Sequence, residues 1–314
     1  MAPPEGGQMR TFRLRSFVLV LAVLALVGAA CANDDENPGG GNTGATGSSG
    51  ASGATGEDNT LLGRIMANDQ IRIATDPAYP PQSSYDEASG TWEGFDIDVA
   101  EEISKRLGLS QPVDWQTPSW DVLTAGKWND RWDASVGSMT ITKERAQVLD
   151  FSSPYYYTPA GLAVQDGSDI TSLDQLSGMT IGVGIATTYE LYLERTLNIP
   201  GYDFEYLVPE DVTIKTYDTD SSAIQDLVLG RVDAAFSAVP TLQGAIDNDK
   251  PIQLLGDPVF YEPLAVAIDK DAPLDPTSLV AKISEIIDEM HQDGTLTALS
   301  MKWYGEDLTT TSQG

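Results

Sequence analysis

An alternation of short strands and helices, repeated along the chain, constrains the fold more than any other feature of the sequence. Residues 71–75 alternate in polarity as a half-buried strand does, and residues 95–107 repeat apolar side chains with a helical period before Gly108. The first run of the pattern predicts strands at 71–75, 113–115 and 134–136 and helices at 95–107 and 120–128. Strands and helices in this order form an α/β arrangement with a mostly parallel sheet.

A second run of the same alternation follows the first. It predicts strands at 161–164, 180–183 and 232–236, a short turn or helix at 172–176, and helices at 187–197 and 221–229. A strand at 264–268 and helices at 279–290 and 295–303 are left over. We expect two lobes, with chain crossings near 156–158 and 259–261, so that the last elements return to the first lobe. Small ligands favour the cleft between two such lobes.

The N-terminus has the pattern of an export signal. Arg10, Arg13 and Arg15 precede the uncharged apolar run 17–30, which is shorter than the ~20 residues that a membrane-spanning helix needs. Small residues lead directly into Cys31, the one cysteine of the chain. This end resembles a bacterial lipobox with Gly28 in place of the usual Leu, and it predicts a lipoprotein signal peptide over 1–31 with Cys31 as the lipidated residue. A plain signal peptide with an incidental cysteine is the alternative, and Met9 is a second candidate for the start.

Residues 32–60 are dominated by Gly, Ser, Thr, Ala, Asn and Asp. Such a segment cannot bury enough apolar surface to offset its ordering entropy, so it is expected to be a flexible linker with a reach of about 30 Å. A lipidated cysteine followed by this linker would hold a soluble domain near a membrane through its lipid anchor alone.

Composition excludes several classes of function. The formal net charge of −29 disfavours nucleic acid and anionic membrane surfaces as partners. One cysteine cannot form an intramolecular disulfide, and one histidine, His291, cannot build a multi-histidine metal site. We therefore predict no cofactor and no metal, and we expect His291 to be solvent-exposed near a helix C-terminus.

An ordered set of short motifs covers about residues 61–305. Each motif is weak alone; together they read IRIATDPAYPP (71–81), GFDIDVA (94–100), WDA (132–134), GSMTITKER (137–145), GMTIGV (178–183), GRVDAA (230–235) and DGT (293–295). In order and spacing, the set resembles the type II periplasmic substrate-binding proteins of polar amino-acid ABC importers (solute-binding protein family 3), which include lysine/arginine/ornithine-, histidine- and glutamine-binding proteins.

The resemblance implies a two-lobed periplasmic-binding-protein type II fold, α/β, in which each lobe is a mostly parallel sheet flanked by helices and two strands form the hinge. It places lobe 1 at 61–157 plus 261–305, lobe 2 at 158–260 and a tail at 306–314. It also implies capture of a small carboxylate-bearing polar solute, an amino acid or a relative, for an ABC importer permease. We expect an extracytoplasmic monomer, because a hinge must move freely.

Arg145 is the sharpest candidate for a ligand contact. A guanidinium matches a carboxylate with two parallel hydrogen bonds, and Arg145 stands where the family holds the ligand α-carboxylate. Ser138 and Thr140 lie in the loop expected after the strand 134–136, where hydroxyl groups can orient polar ligand atoms. Ordinary turn capping is the alternative for both.

Five further residues are candidates for ligand contacts. Thr187 and Thr188 begin a predicted helix whose free N–H groups favour an anion, and a simple N-cap is the alternative. Tyr79 and Trp120 match two aromatic positions that sandwich the ligand. Asp76 matches a position that contacts a basic side chain in lysine-binding relatives, or it caps a turn.

One departure from the family's pattern affects the choice of ligand. The lobe-two aspartate that holds the ligand α-ammonium is replaced here by Ala238. An ammonium without an anionic partner is costly to bury. Either another carboxylate substitutes, with Asp218 and Asp220 as candidates, or the ligand lacks a free α-ammonium, as a keto acid does.

The sequence is also compatible with two other functions, an enzyme and a ligand sensor. Cyclohexadienyl dehydratases share the fold and use a buried acid for proton transfer, and Glu262 is the nearest acid to nominate, although a hinge or surface acid is the simpler interpretation of it. A non-enzymatic binding module is the leading hypothesis, since the sequence has no Ser-His-Asp, Cys-His or metal pattern. A tethered ligand sensor or co-receptor would need the same cleft.

Overall fold

A computed structural model describes residues 59–310 of the chain. The predicted signal peptide at 1–31 with Cys31, the linker up to residue 58, and residues 311–314 lie outside the described residues.

Eight helices are formed in the described part of the chain. They are α1 (Leu61–Asn68), α2 (Phe95–Arg106), α3 (Trp120–Thr124), α4 (Thr188–Leu193), α5 (Asp220–Val228), α6 (Val239–Asp247), α7 (Thr277–Gln292) and α8 (Thr295–Tyr304). Within residues 59–310, none of these helices has the length and apolar character that crossing a bilayer requires.

Eleven strands accompany these helices within residues 59–310. They are β1 (Arg72–Ala74), β2 (Ala78–Tyr79), β3 (Ser83–Asp86), β4 (Thr91–Glu93), β5 (Asp114–Gln116), β6 (Ala134–Thr140), β7 (Leu149–Gln165), β8 (Thr180–Gly184), β9 (Thr213–Tyr217), β10 (Ala234–Ala238) and β11 (Ile252–Asp269).

The main sheet joins two parallel three-stranded units through a central antiparallel pair. Its strand order is β5-β1-β6-β11-β7-β10-β8-β9. β1 runs parallel to β5 and β6, and β8 runs parallel to β9 and β10. A small antiparallel sheet, β2-β3-β4, extends the first unit. This is the two-lobed type II arrangement that the sequence predicts, and the prediction of the fold class is confirmed.

Strands β7 and β11 form the connection between the lobes. They are 17 and 18 residues long and pair antiparallel from Ile252↔Gln165 to Asp269↔Leu149. The pairing changes register between Leu255 and Phe260 and again on either side of Ala265. One half of β11 pairs with β6 and the other half lies opposite the part of β7 that pairs with β10, so each strand belongs to both lobes.

Each lobe has its own apolar core. The core of lobe 1 packs α2 and α7 against β1 and β6, with Phe95, Ile283 and Ile287 fully buried. The core of lobe 2 packs α4 against β8 and β10, with Tyr192 and Phe236 at its centre. Separate cores allow each lobe to move as a unit about β7 and β11.

Several elements differ in extent from the sequence predictions. Helix α3 ends at Thr124 rather than residue 128, because Gly126 adopts a left-handed φ of +67° and Trp128 turns inward to donate its indole N–H to the Leu123 carbonyl at 2.9 Å. Helix α4 ends at Leu193 rather than residue 197. Helices α1 and α6, strand β9 and the small sheet were not predicted.

The predicted boundaries at both ends of the folded region need correction. Thr60, assigned to the flexible linker, caps α1 by accepting a hydrogen bond from the Gly63 N–H at 3.0 Å. Residues 306–310, assigned to a tail, pack against lobe 1, where Tyr157 donates its backbone N–H to the Leu308 carbonyl at 2.8 Å.

The prediction that His291 is solvent-exposed is wrong. The side chain lies in the last turn of α7, is half-buried, and forms a hydrogen bond of 2.9 Å between Nε2 and the Pro154 carbonyl. The helix packs on β7, so the imidazole reaches the strand backbone instead of water.

Candidate functional site: the cleft between the lobes

A cavity lies between the two lobes, beside the central strand pair. Its empty volume is about 480 Å³, part of it open to solvent. It is lined by all eight ligand-binding candidates of the sequence analysis, namely Asp76, Tyr79, Trp120, Ser138, Thr140, Arg145, Thr187 and Thr188. Four acidic or aromatic residues that the resemblance did not assign, Tyr189, Asp218, Asp220 and Glu262, line it as well.

Arg145 lies in the cleft and is 5% exposed. It follows β6 in a short 3-10 turn that begins where the Arg145 N–H donates to Thr142 Oγ1 at 3.1 Å. Nη1 donates to the Thr140 carbonyl at 3.1 Å and Nη2 to the Ala186 carbonyl at 2.9 Å. Burial lowers the pKa of Arg145 to about 10, so the group stays charged at neutral pH. Two carbonyls use two of the five guanidinium N–H groups, which leaves donors for a carboxylate.

Trp120 and Tyr79 supply aromatic walls. The Arg145 guanidinium carbon lies 5.4 Å from the centre of the Trp120 ring, and the indole N–H donates to the Ala186 carbonyl at 3.2 Å. The Tyr79 hydroxyl lies 3.3 Å from the hydroxyl of Tyr189 in the other lobe. Trp120 and Arg145 of lobe 1 therefore bond to the same carbonyl of lobe 2, and Tyr79 of lobe 1 contacts Tyr189 of lobe 2.

Ser138 and Thr140 lie inside β6 rather than in a loop after it, because the strand continues to Thr140. Ser138 Oγ donates to Asp96 Oδ2 at 2.7 Å, and its backbone N–H donates to the Tyr155 hydroxyl at 2.9 Å. Ser138 has a φ of 54°, a conformation that costs energy for a non-glycine residue and is maintained here by these two bonds. Ser138 is thus fixed from behind by a buried network.

Asp96 is the centre of that network, and the sequence analysis did not single it out. It is fully buried in the first turn of α2 and accepts hydrogen bonds from Ser138 and from the Tyr155 hydroxyl, the latter at 2.8 Å. Burial raises the pKa of Asp96 to about 7 despite these donors.

Glu262 connects three elements at the floor of the cavity. Its Oε2 accepts the hydroxyls of Thr140 and Thr188, each at 2.6 Å, and its Oε1 accepts the Tyr189 hydroxyl at 2.9 Å. Thr140 belongs to lobe 1, whereas Thr188 and Tyr189 belong to lobe 2. Glu262 is 1% exposed, so the interpretation as a surface acid is wrong. The residue lies on the connecting strand β11, in agreement with the other interpretation, a hinge acid. Burial raises the pKa of Glu262, while the three hydroxyls and the Arg145 charge oppose that rise.

Thr187 and Thr188 have different roles at the start of α4. Thr187 is the N-cap, since its Oγ1 accepts from the Glu190 N–H at 3.3 Å and donates to the Gly184 carbonyl at 2.7 Å. Thr188 is buried and directs its hydroxyl to Glu262.

Asp76 and Asp220 approach the cavity from opposite lobes. Asp76 Oδ1 accepts the Ala78 N–H at 2.7 Å, so this residue both caps a turn and lines the cavity. Asp220, the first residue of α5, is 7% exposed and accepts the Gly184 N–H at 3.1 Å. Burial and the nearby charge of Asp76 raise the pKa of Asp220 to about 7.

Charge is unevenly distributed around the cavity. Of the described residues that line it, four are carboxylates and one is a guanidinium. Ala238, at the end of β10, is fully buried in the apolar core of lobe 2. Within residues 59–310, no group of three or more His, Cys, Asp or Glu side chains is placed to hold a metal ion.

Comparisons with known proteins agree with this architecture. Residues 71–306 match the model of the bacterial extracellular solute-binding proteins, family 3. The chain is 30% identical over 255 residues to the L-cystine-binding protein TcyJ of Escherichia coli K12, covering 80% of this chain and 89% of that protein. Two solved structures are also similar. An ancestral arginine-binding protein bound to arginine has a TM-score of 0.65 and 30% identity over 76% of this chain and 99% of its own. The ancestral amino acid-binding protein AncCDT-1, a precursor of cyclohexadienyl dehydratase, has a TM-score of 0.66 and 28% identity, covering 78% of this chain and 100% of its own.

The fold and the comparisons agree on the family. The chain has two lobes joined by two strands with a cleft between them, and the family model matches residues 71–306. The chain therefore belongs to the bacterial extracellular solute-binding proteins, family 3.

Proposed function

We propose that this protein captures an amino acid or a close relative outside the cytoplasm and delivers it to the permease of an ABC importer. The observation that carries the proposal is Arg145, a buried guanidinium with unused donors in a cleft between two lobes. The Glu262 charge also acts on Arg145, but the hydrogen bonds of the guanidinium within residues 59–310 go to carbonyl groups, and its remaining N–H groups match a ligand carboxylate.

Lobe closure is the mechanism by which binding is sensed. The cavity is lined by Arg145 and Trp120 of lobe 1 and by Thr188 of lobe 2, so a ligand bound there can contact both lobes at once. A ligand that binds the closed arrangement more tightly than the open one shifts the population to the closed shape. The permease then recognises the closed lobes, and no covalent step is needed.

Thermal unfolding of the purified protein with a panel of amino acids, keto acids and other small carboxylates tests the proposal. A ligand at one hundred times its dissociation constant adds about 2.7 kcal/mol to the stability, which raises Tm by roughly 5 to 10 °C. Arg145→Ala should abolish the shift, whereas Arg231→Ala, at an exposed arginine paired with Asp226, should leave it unchanged. The absence of a shift with every carboxylate at millimolar concentration would contradict the proposal.

Anchoring through Cys31 completes the proposed localisation. The support is the basic and apolar sequence before Cys31 and the polar linker after it. Cys31→Ser should move the protein from the membrane fraction to the soluble extracytoplasmic fraction and abolish incorporation of labelled fatty acid. If the N-terminus is a plain signal peptide, the wild type and Cys31→Ser should be distributed in the same way between the membrane and soluble fractions.

An importer role and a sensor role predict different cellular effects. Deletion of an importer component abolishes uptake of the ligand, whereas deletion of a tethered sensor abolishes the response to the ligand and leaves uptake intact. We expect loss of uptake. The protein should also elute as a monomer, since a hinge between two lobes must move freely.

Glu262 supports one second candidate, a cyclohexadienyl-dehydratase-like reaction. Its carboxyl is buried beside the cavity and its pKa is raised by burial, two properties that a proton-donating acid requires. Three hydroxyls that donate to it favour the ionised form instead, which fits a structural acceptor better than an acid. Consumption of prephenate or arogenate by the purified protein would establish that it is an enzyme of this kind.

A further inference from the structure

Asp220 is a buried acid that has no ion pair with any cation of residues 59–310. It is 7% exposed and lines the cavity. The Gly184 N–H donates to Oδ1 at 3.1 Å, and the charges that act on Asp220 most strongly are those of Asp76 and Glu262, which both disfavour its ionised form. A buried carboxylate among carboxylates is costly unless a cation joins it.

One backbone segment fixes Asp220 relative to Arg145. Gly184 donates to the Asp220 carboxylate, and the Ala186 carbonyl, two residues later, accepts from Arg145 Nη2. Arg145 and Asp220 also line the same cavity, so a single small molecule bound there can contact both side chains.

Gly184, in the same segment, leaves the space that the Asp220 carboxylate occupies. A Cβ at position 184 would come within 2.9 Å of Asp220 Oδ1 and 2.8 Å of Thr187 Cγ2, so only glycine lets the carboxylate sit against the backbone here. A carboxylate placed this closely is held in one position, as a specific contact requires.

We propose that Asp220 binds the ammonium group of the ligand while Arg145 binds its carboxylate, so that the site selects a zwitterionic amino acid over the corresponding acid without the ammonium. This rests on the proposed function and answers the question that Ala238 raises. The anionic partner comes from the first residue of α5 in place of the last residue of β10.

Glu262 is a less suitable partner for the ammonium. Its two oxygens already accept three hydroxyls at 2.6, 2.6 and 2.9 Å. Those bonds connect the lobes, so a change at Glu262 should affect closure for every ligand alike.

The test compares pairs of probes that differ in the α-ammonium alone. L-Arginine and L-cystine are measured by calorimetry beside their desamino counterparts, with the wild-type protein and with Asp220→Asn, Asp203→Asn and Glu262→Gln. Asp203 is an exposed carboxylate of lobe 2 outside the cavity lining and serves as the matched control. Thermal unfolding without ligand verifies that each variant is folded.

We expect wild-type protein to bind at least one of the two amino acids more tightly than its desamino counterpart. Asp220→Asn should lower the affinity for that amino acid by about 10- to 100-fold, which is the loss expected for a charged hydrogen bond, and should leave the affinity for the desamino acid within about threefold. Asp203→Asn should change neither by more than about threefold, and Glu262→Gln should weaken both members of the pair equally.

Three results would overturn the inference. If wild-type protein binds both members of a pair equally well, the ammonium is not recognised, although the proposed function survives. An equal loss for both probes in Asp220→Asn would make Asp220 a structural residue. If no probe binds to the wild type, the proposed function fails for these ligands and the inference fails with it.

Discussion

Two buried aspartates of this protein have opposite surroundings. Asp133, 3% exposed in its side chain, lies in lobe 1 and accepts hydrogen bonds from Arg64 Nη2 at 2.5 Å and Arg72 Nη2 at 2.7 Å. It also accepts the Arg72 backbone N–H at 2.8 Å. Asp220 lies in the cleft with one backbone donor and with other carboxylates nearby.

The contrast separates an acid that serves the fold from an acid that serves a ligand. The protein supplies the cations for Asp133 from its own chain, and the first residues of the domain are thereby held to β1. Among residues 59–310 no cation forms an ion pair with Asp220, so a ligand ammonium would stabilise the ionised form of that carboxyl.

The largest effect on stability should follow from removing Asp133, whose charge two arginines neutralise. Asp133→Ala removes the acceptor for two arginines and one backbone N–H, and we expect a loss of about 3 to 5 kcal/mol in the free energy of unfolding. Urea unfolding without ligand measures it. A loss below about 1 kcal/mol would show that the arginines of this cluster find water or Asp130 equally well and would weaken the contrast.

The next largest effect is a dependence of stability on pH, caused by three buried carboxyl groups. The pKa values of Asp96 and Asp220 are both raised to about 7 by burial, and burial also raises that of Glu262. Each carboxyl therefore binds its proton more tightly in the folded than in the unfolded protein. Stability without ligand should fall as pH rises from about 4 through 7, by an amount on the order of a few kcal/mol. Urea unfolding at pH 5.5 and pH 8 measures the change, and equal or higher stability at pH 8 would contradict it.

A smaller effect of opposite sign should follow from removing the charge of Asp220. Asp220→Asn keeps an acceptor for the Gly184 N–H but has no charge to bury, so we expect the ligand-free protein to gain about 1 to 2 kcal/mol at pH 8. The gain should shrink toward pH 5, where the wild-type carboxyl is protonated. If the variant is instead less stable at pH 8, Asp220 contributes to the fold as Asp133 does, and the distinction between the two acids fails.

The smallest effect concerns the space beside Asp220. Gly184→Ala places a methyl group within 2.9 Å of Asp220 Oδ1, and the displacement should weaken amino-acid binding by about three- to tenfold and stability by about 1 kcal/mol. Gly137→Ala is the matched control, since its Cβ would meet nothing nearer than 3.6 Å although it also lines the cavity. Equal binding losses in the two variants would indicate a general loss of cavity volume.

The sequence predicted the lobes and much of the cleft because these features leave local patterns. Strand and helix periods located β1, α2, β8 and α7 to within a few residues. Arg145 and Trp120 were found because they stand in motifs that survive intact, and the structure brings both to the cavity.

Features set by contacts between distant segments escaped the sequence analysis. Only the apolar parts of β7 and β11 were predicted, since their full length depends on pairing with each other across both lobes. Asp220 was one of two candidate partners for the ammonium, but only the packing of α5 against β8 reveals its burial. Glu262 was nominated as an acid near the crossing, but its three hydrogen-bond donors come from β6 and α4, which are distant in sequence.

The register shifts in the central strand pair have a mechanical consequence. Shifts on either side of residues 260–264 interrupt the ladder, and an interrupted ladder bends and twists more easily than a regular one. Glu262 lies between these two interruptions and accepts hydroxyl groups from both lobes. The acceptor that joins the lobes is therefore on the part of the strand pair that bends most easily, so bending there should change the distance between Thr140 and Thr188.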